Sequence, residues 1–380
     1  MKLKVAKILV GLGLIASLSL VNWGGSPIVL PNQYAGYNLT PQVAIGSEQH
    51  TVWIYTDYNF GFVSLLYAHA SINGTWTAPY EIASYNKFSA DKPGIAVDGD
   101  SVHVVYATPY GEVKYFYGIN GIWSAPVTIG SGFGASITVS AGVIYVAWSD
   151  IRNNQGRAYF NWKDTNWHTE KAVTSNVTSL NRGVDIAVQN NVVHIVSQQQ
   201  ISGSTYKVSY VRDFATGNFN NDRLIAQELG AYDLSLGGGI SIGTNPISIV
   251  WGASISDNSE PLAITQSNDN GLNFVNPIYA DAGFNILAKN PDIVIVNQKS
   301  YITTNLLKWN GVSVTERTVW AYHEGIWTQL GTNPSNSNSI TFGQDILLAA
   351  WSSTLGSNDY IFYNTQQFPN KHIYLPLIIK

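Results

Sequence analysis

The chain has 380 residues, 45% of them apolar but only 12% charged, with a net charge of −4 and no cysteine. The charged share is about half the usual one. The lack of any Lys/Arg run argues against nucleic acid as a partner, and the absent thiols exclude disulfides, thiol chemistry and cysteine-bound zinc.

The N-terminus reads Met1-Lys2-Leu3-Lys4-Val5-Ala6-Lys7, followed by an apolar run from Ile8 to Val21. A basic start before a stretch too short to span a membrane comfortably is a secretory signal. It is placed at residues 1–19, with cleavage near Ser17-Leu18-Ser19, so the protein is expected to be secreted or held at the cell surface. Without those three lysines the basic count is 20 − 3 = 17 against 24 acidic residues, a net −7. Asn38-Leu39-Thr40, Asn73-Gly74-Thr75 and Asn176-Val177-Thr178 match the glycosylation sequon, but plain turn chemistry explains them as well.

From residue 22 to 368 one unit recurs, and the sequence reads as a single domain. Ile72-Asn73-Gly74-Thr75-Trp76 returns as Ile119-Asn120-Gly121-Ile122-Trp123 and as His323-Glu324-Gly325-Ile326-Trp327. With looser copies included, the landmark aromatics Trp76, Trp123, Trp167, Phe219, Phe274 and Trp327 are 47, 44, 52, 55 and 53 residues apart. Between them lie short alternating stretches such as Asp185-Ile186-Ala187-Val188, tight turns, and β-prone runs such as Ile144 to Trp148. Period-two alternation with Asn-Gly turns gives four antiparallel strands per unit, the size of one propeller blade.

The first strand occurs seven times, yet the final unit breaks off after Tyr360-Ile361-Phe362-Tyr363. Its missing piece stands at the other end: Trp23-Gly24-Gly25-Ser26-Pro27-Ile28-Val29-Leu30 resembles Trp123-Ser124-Ala125-Pro126-Val127-Thr128-Ile129, and Trp23 lies 53 residues before Trp76. The expected fold is therefore an all-β, seven-bladed β-propeller, its last blade closed by the N-terminal strand; six blades is the alternative count. A monomer is expected. The turn aromatics should pack between neighbouring sheets. The apolar tail, residues 369–380, is too short to cross a membrane and is left as an extra strand or an attachment signal.

Ser267-Asn268-Asp269-Asn270-Gly271-Leu272-Asn273-Phe274 fits the pattern Ser-x-Asp-x-Gly-x-x-aromatic and resembles the Asp box of BNR repeats in sialidase-like propellers. Trp148-Ser149-Asp150-Ile151-Arg152 with Gly156-Arg157-Ala158-Tyr159-Phe160 resembles the strand crossover of the same repeats. The resemblance implies that Ser267, Asp269, Gly271 and Phe274 form a structural turn on the rim. It also implies, for an enzyme, three arginines on a substrate carboxylate, an Asp acid and a Tyr/Glu nucleophile. This chain has six arginines, none before Arg152, and the family's Arg-Ile-Pro motif is missing.

Glycosidase chemistry independent of that family needs two carboxylates about 5–10 Å apart. Asp57, Asp150, Glu260 and Asp359 stand near strand ends, and Asp57 and Asp150 share one repeat position, so Asp57, Asp150 and Arg152 are the catalytic candidates. The competing reading has each Asp closing a turn. His103 and His194 occupy one slot of the repeat, with Trp53 and Tyr145 assigned to the matching places, which suggests packing. No metal-ligand spacing, phosphate loop or cofactor motif appears. Tyr58, Phe60, Phe62, Tyr85, Phe88, Tyr110, Trp309 and Tyr322 are assigned to loops among Asn, Gly and Ser. Aromatic faces beside amides suit carbohydrates, so Tyr58, Tyr110, Arg157 and Trp309 are the binding candidates. Two functions follow: a propeller that binds glycan or cell-surface ligands at its central face, or a sialidase-like or other glycoside hydrolase.

Overall fold

The computed structural model describes residues 28–30, 37–57, 60–72, 74–87, 91–119, 121–153, 155–175, 181–202, 205–219, 222–229, 240–253, 261–280, 286–309, 314–331, 335–355 and 357–368. The expected signal segment, Trp23, Tyr58, Asn73, Phe88, Asn176, Glu260 and the tail 369–380 lie outside these residues.

Among the described residues the strands form seven antiparallel sheets, six of them running in chain order from an inner to an outer strand. Blade 1 consists of Tyr37–Ile45, Glu48–Asp57, Phe62–Ser71 and Tyr80–Tyr85. The first strands of blades 2 to 7 are Gly94–Asp98, Phe133–Ser140, Asn181–Gln189, Ile240–Gly243, Ile286–Val296 and Ser335–Gly343. Each first strand touches that of the next blade, and blade 7 touches blade 1, so the sheets close into a ring. In blade 2 the fourth strand is split into Ile122–Trp123 and Val127–Ser131, both paired to the third strand.

Blade 7 is completed from the other end of the chain. Ile28 and Val29 pair with Tyr363 and Phe362, and Leu30 N donates to Ile361 O at 2.9 Å. The closing strand is held by more than its backbone. Leu30 is buried with Trp53, Leu66, Leu348 and Ile361, a cluster drawn from blades 7 and 1.

A four-stranded sheet has two apolar faces, and both must be covered. The described core accordingly divides into seven clusters, one at each junction between neighbouring blades. Trp53, Tyr106, Trp148, Trp251 and Trp351 occupy one position of the second strand and are almost fully buried. The turn aromatics then lock each blade onto its predecessor. Trp123 meets Tyr67 edge-on at 5.0 Å, Trp167 meets Tyr115 at 5.0 Å, Phe274 meets Tyr210 at 4.8 Å, and Trp76 meets Tyr363 at 5.5 Å. Edge-to-face geometry is preferred because the ring edge is positive and its face negative.

Two assignments from the sequence need correction. Phe62, Tyr85, Trp309 and Tyr322 are strand residues rather than loop residues, because the strands extend past the apolar runs that reveal them. The blade 1 counterpart of His103 and His194 is His50, not Trp53. His50 Nδ1 lies 2.7 Å from Tyr67 Oη, His103 Nδ1 2.8 Å from Tyr115 Oη, and His194 Nδ1 2.7 Å from Tyr210 Oη. Burial pushes all three imidazoles down to about 4, so they are neutral packing groups. Asn38 is also a core residue: its amide oxygen accepts from Trp53 Nε1 at 2.8 Å and its nitrogen donates to Asp359 O at 2.7 Å. That burial leaves its sequon inaccessible.

Candidate functional site

The seven first strands surround a central channel with a cavity of about 860 Å³. Two repeated devices shape its wall. The first is a β-bulge near the start of the strand, with register breaks between Leu39 and Gln42, Phe133 and Ser136, Asn181 and Gly183, Lys289 and Asp292, and Ser335 and Ser337. A bulge re-aims side chains, and Pro is tolerated there because an edge strand needs no donor toward the channel. Thr40-Pro41 and Asn290-Pro291 meet this demand, Thr40 and Asn290 having φ of 51° and 48°.

The second device is a polar belt directly after the bulges. Ser136 Oγ donates to Asp185 Oδ1 at 2.5 Å, and Ser241 Oγ lies 2.8 Å from Asp185 Oδ2 and 3.0 Å from Asp292 Oδ1. Ser339 Oγ donates to Asp292 Oδ2 at 2.9 Å and accepts from Val43 N at 3.4 Å. The belt thus runs from blade 3 through to blade 1. Each carboxylate also caps the next blade's open edge: Ile242 N donates to Asp185 at 2.9 Å, and Ile340 N to Asp292 at 3.0 Å. Burial pushes the Asp185 carboxyl up, partly offset by Lys92, with Asp292 adding to the rise. Ser241 has one hydroxyl proton for two carboxyls, which agrees with that direction.

Above the belt, Asp91, Lys92, Asn290 and Arg317 line the mouth. Burial raises the Asp91 carboxyl to about 6, against a hydrogen bond from the Gly134 backbone that lowers it.

This mouth opens on the face that carries the turns between second and third strands. Asp57, Tyr110, Asp150, Arg152, Arg157 and the Trp309 backbone all lie on that face, because each stands near the end of a second strand, in the turn that follows, or near the start of a third strand. They do not assemble into one catalytic cluster. Asp57 and Asp150 sit on blades 1 and 3, with blade 2 between them. Asp57 Oδ1 accepts from Phe60 N at 3.2 Å and so closes its own turn. Arg152 Nε donates to Asp150 Oδ2 at 2.5 Å, its terminal nitrogens grip Glu170, and its guanidinium lies 4.0 Å from the Tyr159 ring centre. Arg157 Nε donates to Thr174 O at 2.7 Å. Arg223 donates to Leu272 O at the outer edge of blade 4. Among the described arginine side chains only Arg317 reaches the channel wall. Asp359 is buried and accepts from Thr354 Oγ1 at 2.6 Å. Tyr110, by contrast, is 59% exposed.

The Ser267–Phe274 turn lies at the opposite end of its blade from the channel mouth. Asp269 Oδ1 accepts from Ser267 Oγ at 2.6 Å and from Asn273 N at 2.8 Å, while Gly271 N donates to Ser267 Oγ at 2.9 Å. These donors, with Ser267 the largest influence, hold the Asp269 carboxyl down at about 2. Asn270 and Gly271, with φ of 58° and 82°, supply the left-handed bend.

No family model and no curated protein matches the chain. Solved structures do match. An ulvan lyase of a polysaccharide lyase family, bound to -[GlcA(1-4)Rha3S]-, shares 10% identity over 90% of this chain and 93% of its own, with a TM-score of 0.55. The β-propeller domain of the Trilobed protease from Pyrococcus furiosus shares 11% over 91% of this chain and all of its own, with a TM-score of 0.52. Trypanosoma rangeli sialidase shares 10% over 92% of this chain and 59% of its own, with a TM-score of 0.44. At such identities the first two speak for the fold alone, and the third carries no argument.

Proposed function

We propose that the protein is an exported propeller that binds glycans at the channel mouth. The observation that carries this reading is the make-up of that mouth: Lys92, Asn290 and Arg317 bring polar and cationic side chains to a cavity large enough for a saccharide. The ulvan lyase neighbour was solved with a saccharide, so a propeller of this kind is compatible with such a ligand. The candidate acids Asp57 and Asp150 are taken up in turn closure and an ion pair, which favours recognition over cleavage at those positions.

A glycan array on the purified protein, followed by titration of the best ligand against Lys92→Ala and Asn290→Ala, tests the proposal. Loss of affinity of about tenfold in either variant is expected; unchanged affinity in both removes the channel mouth as the site. One observation favours the hydrolase reading. Asp91, held near pH 6 at the mouth, has the proton affinity of a general acid. Turnover of a fluorogenic glycoside by the unaltered protein, lost in Asp91→Asn, would establish that reading instead.

A further inference from the structure

A second feature of the same face stands outside the channel, at the junction of blades 1 and 2. Tyr110 is carried on a turn that its neighbours hold rigid. Thr108 Oγ1 accepts from both Tyr110 N and Glu112 N at 3.3 Å, Gly111 N donates to Thr108 O at 2.9 Å, and Gly132 N donates to Gly111 O at 2.8 Å. The ring is nevertheless 59% exposed. Among the described residues its aromatic support is the edge of Tyr85 at 6.5 Å, which in turn leans on buried Tyr106 at 6.0 Å. Lys87 holds its ammonium 5.4 Å from the Tyr110 ring centre. The nearby carboxylate, Glu112, is paired with Lys114 at 3.2 Å, and among the described residues no carboxylate pairs with Lys87.

An exposed ring on a rigid turn costs little entropy when a ligand stacks on it, and a cation beside it selects a negative charge at the edge of that ligand. The geometry points to a rim subsite in which Tyr110 stacks against a sugar ring and Lys87 pairs with that sugar's carboxylate. The ligand class is a uronate-containing oligosaccharide. This inference rests on the glycan reading of the channel mouth and deepens it. Lys92, at the mouth, is five residues from Lys87, so the Cα atoms of the two lysines are at most about 18 Å apart. One acidic oligosaccharide can therefore lie radially, with one end at Lys92 and a later unit on Tyr110.

The test is calorimetric titration with oligogalacturonates of two and eight units, and with neutral cello-oligosaccharides, against Tyr110→Ala, Lys87→Ala, Lys87→Arg and Lys92→Ala. Both Tyr110 and Lys87 are exposed, so melting temperatures should be unchanged and lost binding will not reflect misfolding. Tyr110→Ala and Lys87→Ala are each expected to weaken the eight-unit ligand about tenfold while leaving the two-unit ligand unaffected. Lys87→Arg should retain most of the affinity, and added salt should erase the difference between Lys87→Ala and the unaltered protein. Equal binding of the eight-unit ligand by all three rim variants, with loss in Lys92→Ala, overturns the rim subsite and leaves the channel standing. Loss in the rim variants but not in Lys92→Ala overturns the channel reading alone. Failure of every acidic oligomer to bind the unaltered protein overturns the uronate assignment.

Discussion

Replacing Asp185 by Ala removes the acceptor of four hydrogen bonds at once. Ser136 Oγ and Ile186 N reach one oxygen at 2.5 and 2.9 Å, and Ser241 Oγ and Ile242 N reach the other at 2.8 and 2.9 Å. The two hydroxyls can rotate toward other acceptors, and Ser241 already lies beside Asp292. The two amides cannot move, because their strands are fixed. A bond to a charged partner contributes about 1.5–3 kcal/mol, and channel water recovers part of that loss. The net cost should be about 3–5 kcal/mol. At about 2 °C per kcal/mol for a chain of this size, calorimetric melting should shift down by about 6–10 °C. Asp185→Asn, which keeps one acceptor oxygen, should cost less. Because the Asp185 carboxyl is pushed up in the folded state, the native protein loses stability as pH rises from the ordinary aspartate range through the raised value, and the Asn variant does not. The gap between the two should therefore narrow with increasing pH. Ser47→Ala, which removes an exposed bond to Asp100, serves as a control and should stay within about 0.5 kcal/mol. If Asp185→Ala melts with that control, the belt does not hold the blades together.

Leu30→Ala should destabilise by about 2–4 kcal/mol, since it empties a buried site shared by the closing strand and blades 7 and 1; urea unfolding that shows no loss would detach that strand from the ring. Phe219→Ala, which removes a buried ring 5.2 Å from Phe160, should cost about 3–5 kcal/mol by the same measurement. The three buried histidines are held near 4, whereas in the unfolded chain they titrate near 6.5. Their stability is therefore complete above pH 6.5 and is lost as pH falls toward 4, at up to about 3 kcal/mol each. Asp91, raised to about 6, acts in the opposite sense, losing stability as pH rises from 3.8 to 6. With three histidines against Asp91 and Asp185, unfolding free energy should fall between pH 7 and pH 4.5, and His194→Gln should reduce that slope; an unchanged slope in the variant would refute the assignment.

The ring and its closure were legible because they are written locally. A turn ending in Trp needs no knowledge of its neighbours, and counting such turns at Trp76, Trp123 and Trp327 gives the period. The packing role of those aromatics followed from the same repetition. The channel wall was not legible. Asp185, Ser241 and Asp292 look like ordinary strand starts, and their partners lie about fifty residues away in other blades. Thr40-Pro41, Lys92-Pro93 and Asn290-Pro291 were the available signal, since Pro just before an alternating stretch marks a strand whose edge faces open space. The misplaced counterpart of His103 has a simpler cause. Blade 1 was aligned on its apolar run from Val52, whereas the strand begins at Glu48, straight after the turn. Glu48, Gln49 and His50 are polar and so escaped a pattern built on hydrophobicity.

Joining Ile28–Leu30 to Tyr363 fixes a timetable as well as a shape. During synthesis the earliest-made of these strands has no partner until the last blade has emerged, more than three hundred residues later. Until then Leu30 and the blade 1 side of its pocket remain uncovered, and a holding chaperone has a ready target. Maturation should therefore proceed in two stages, with an open string of blades accumulating first and protease resistance arriving only when the two ends meet.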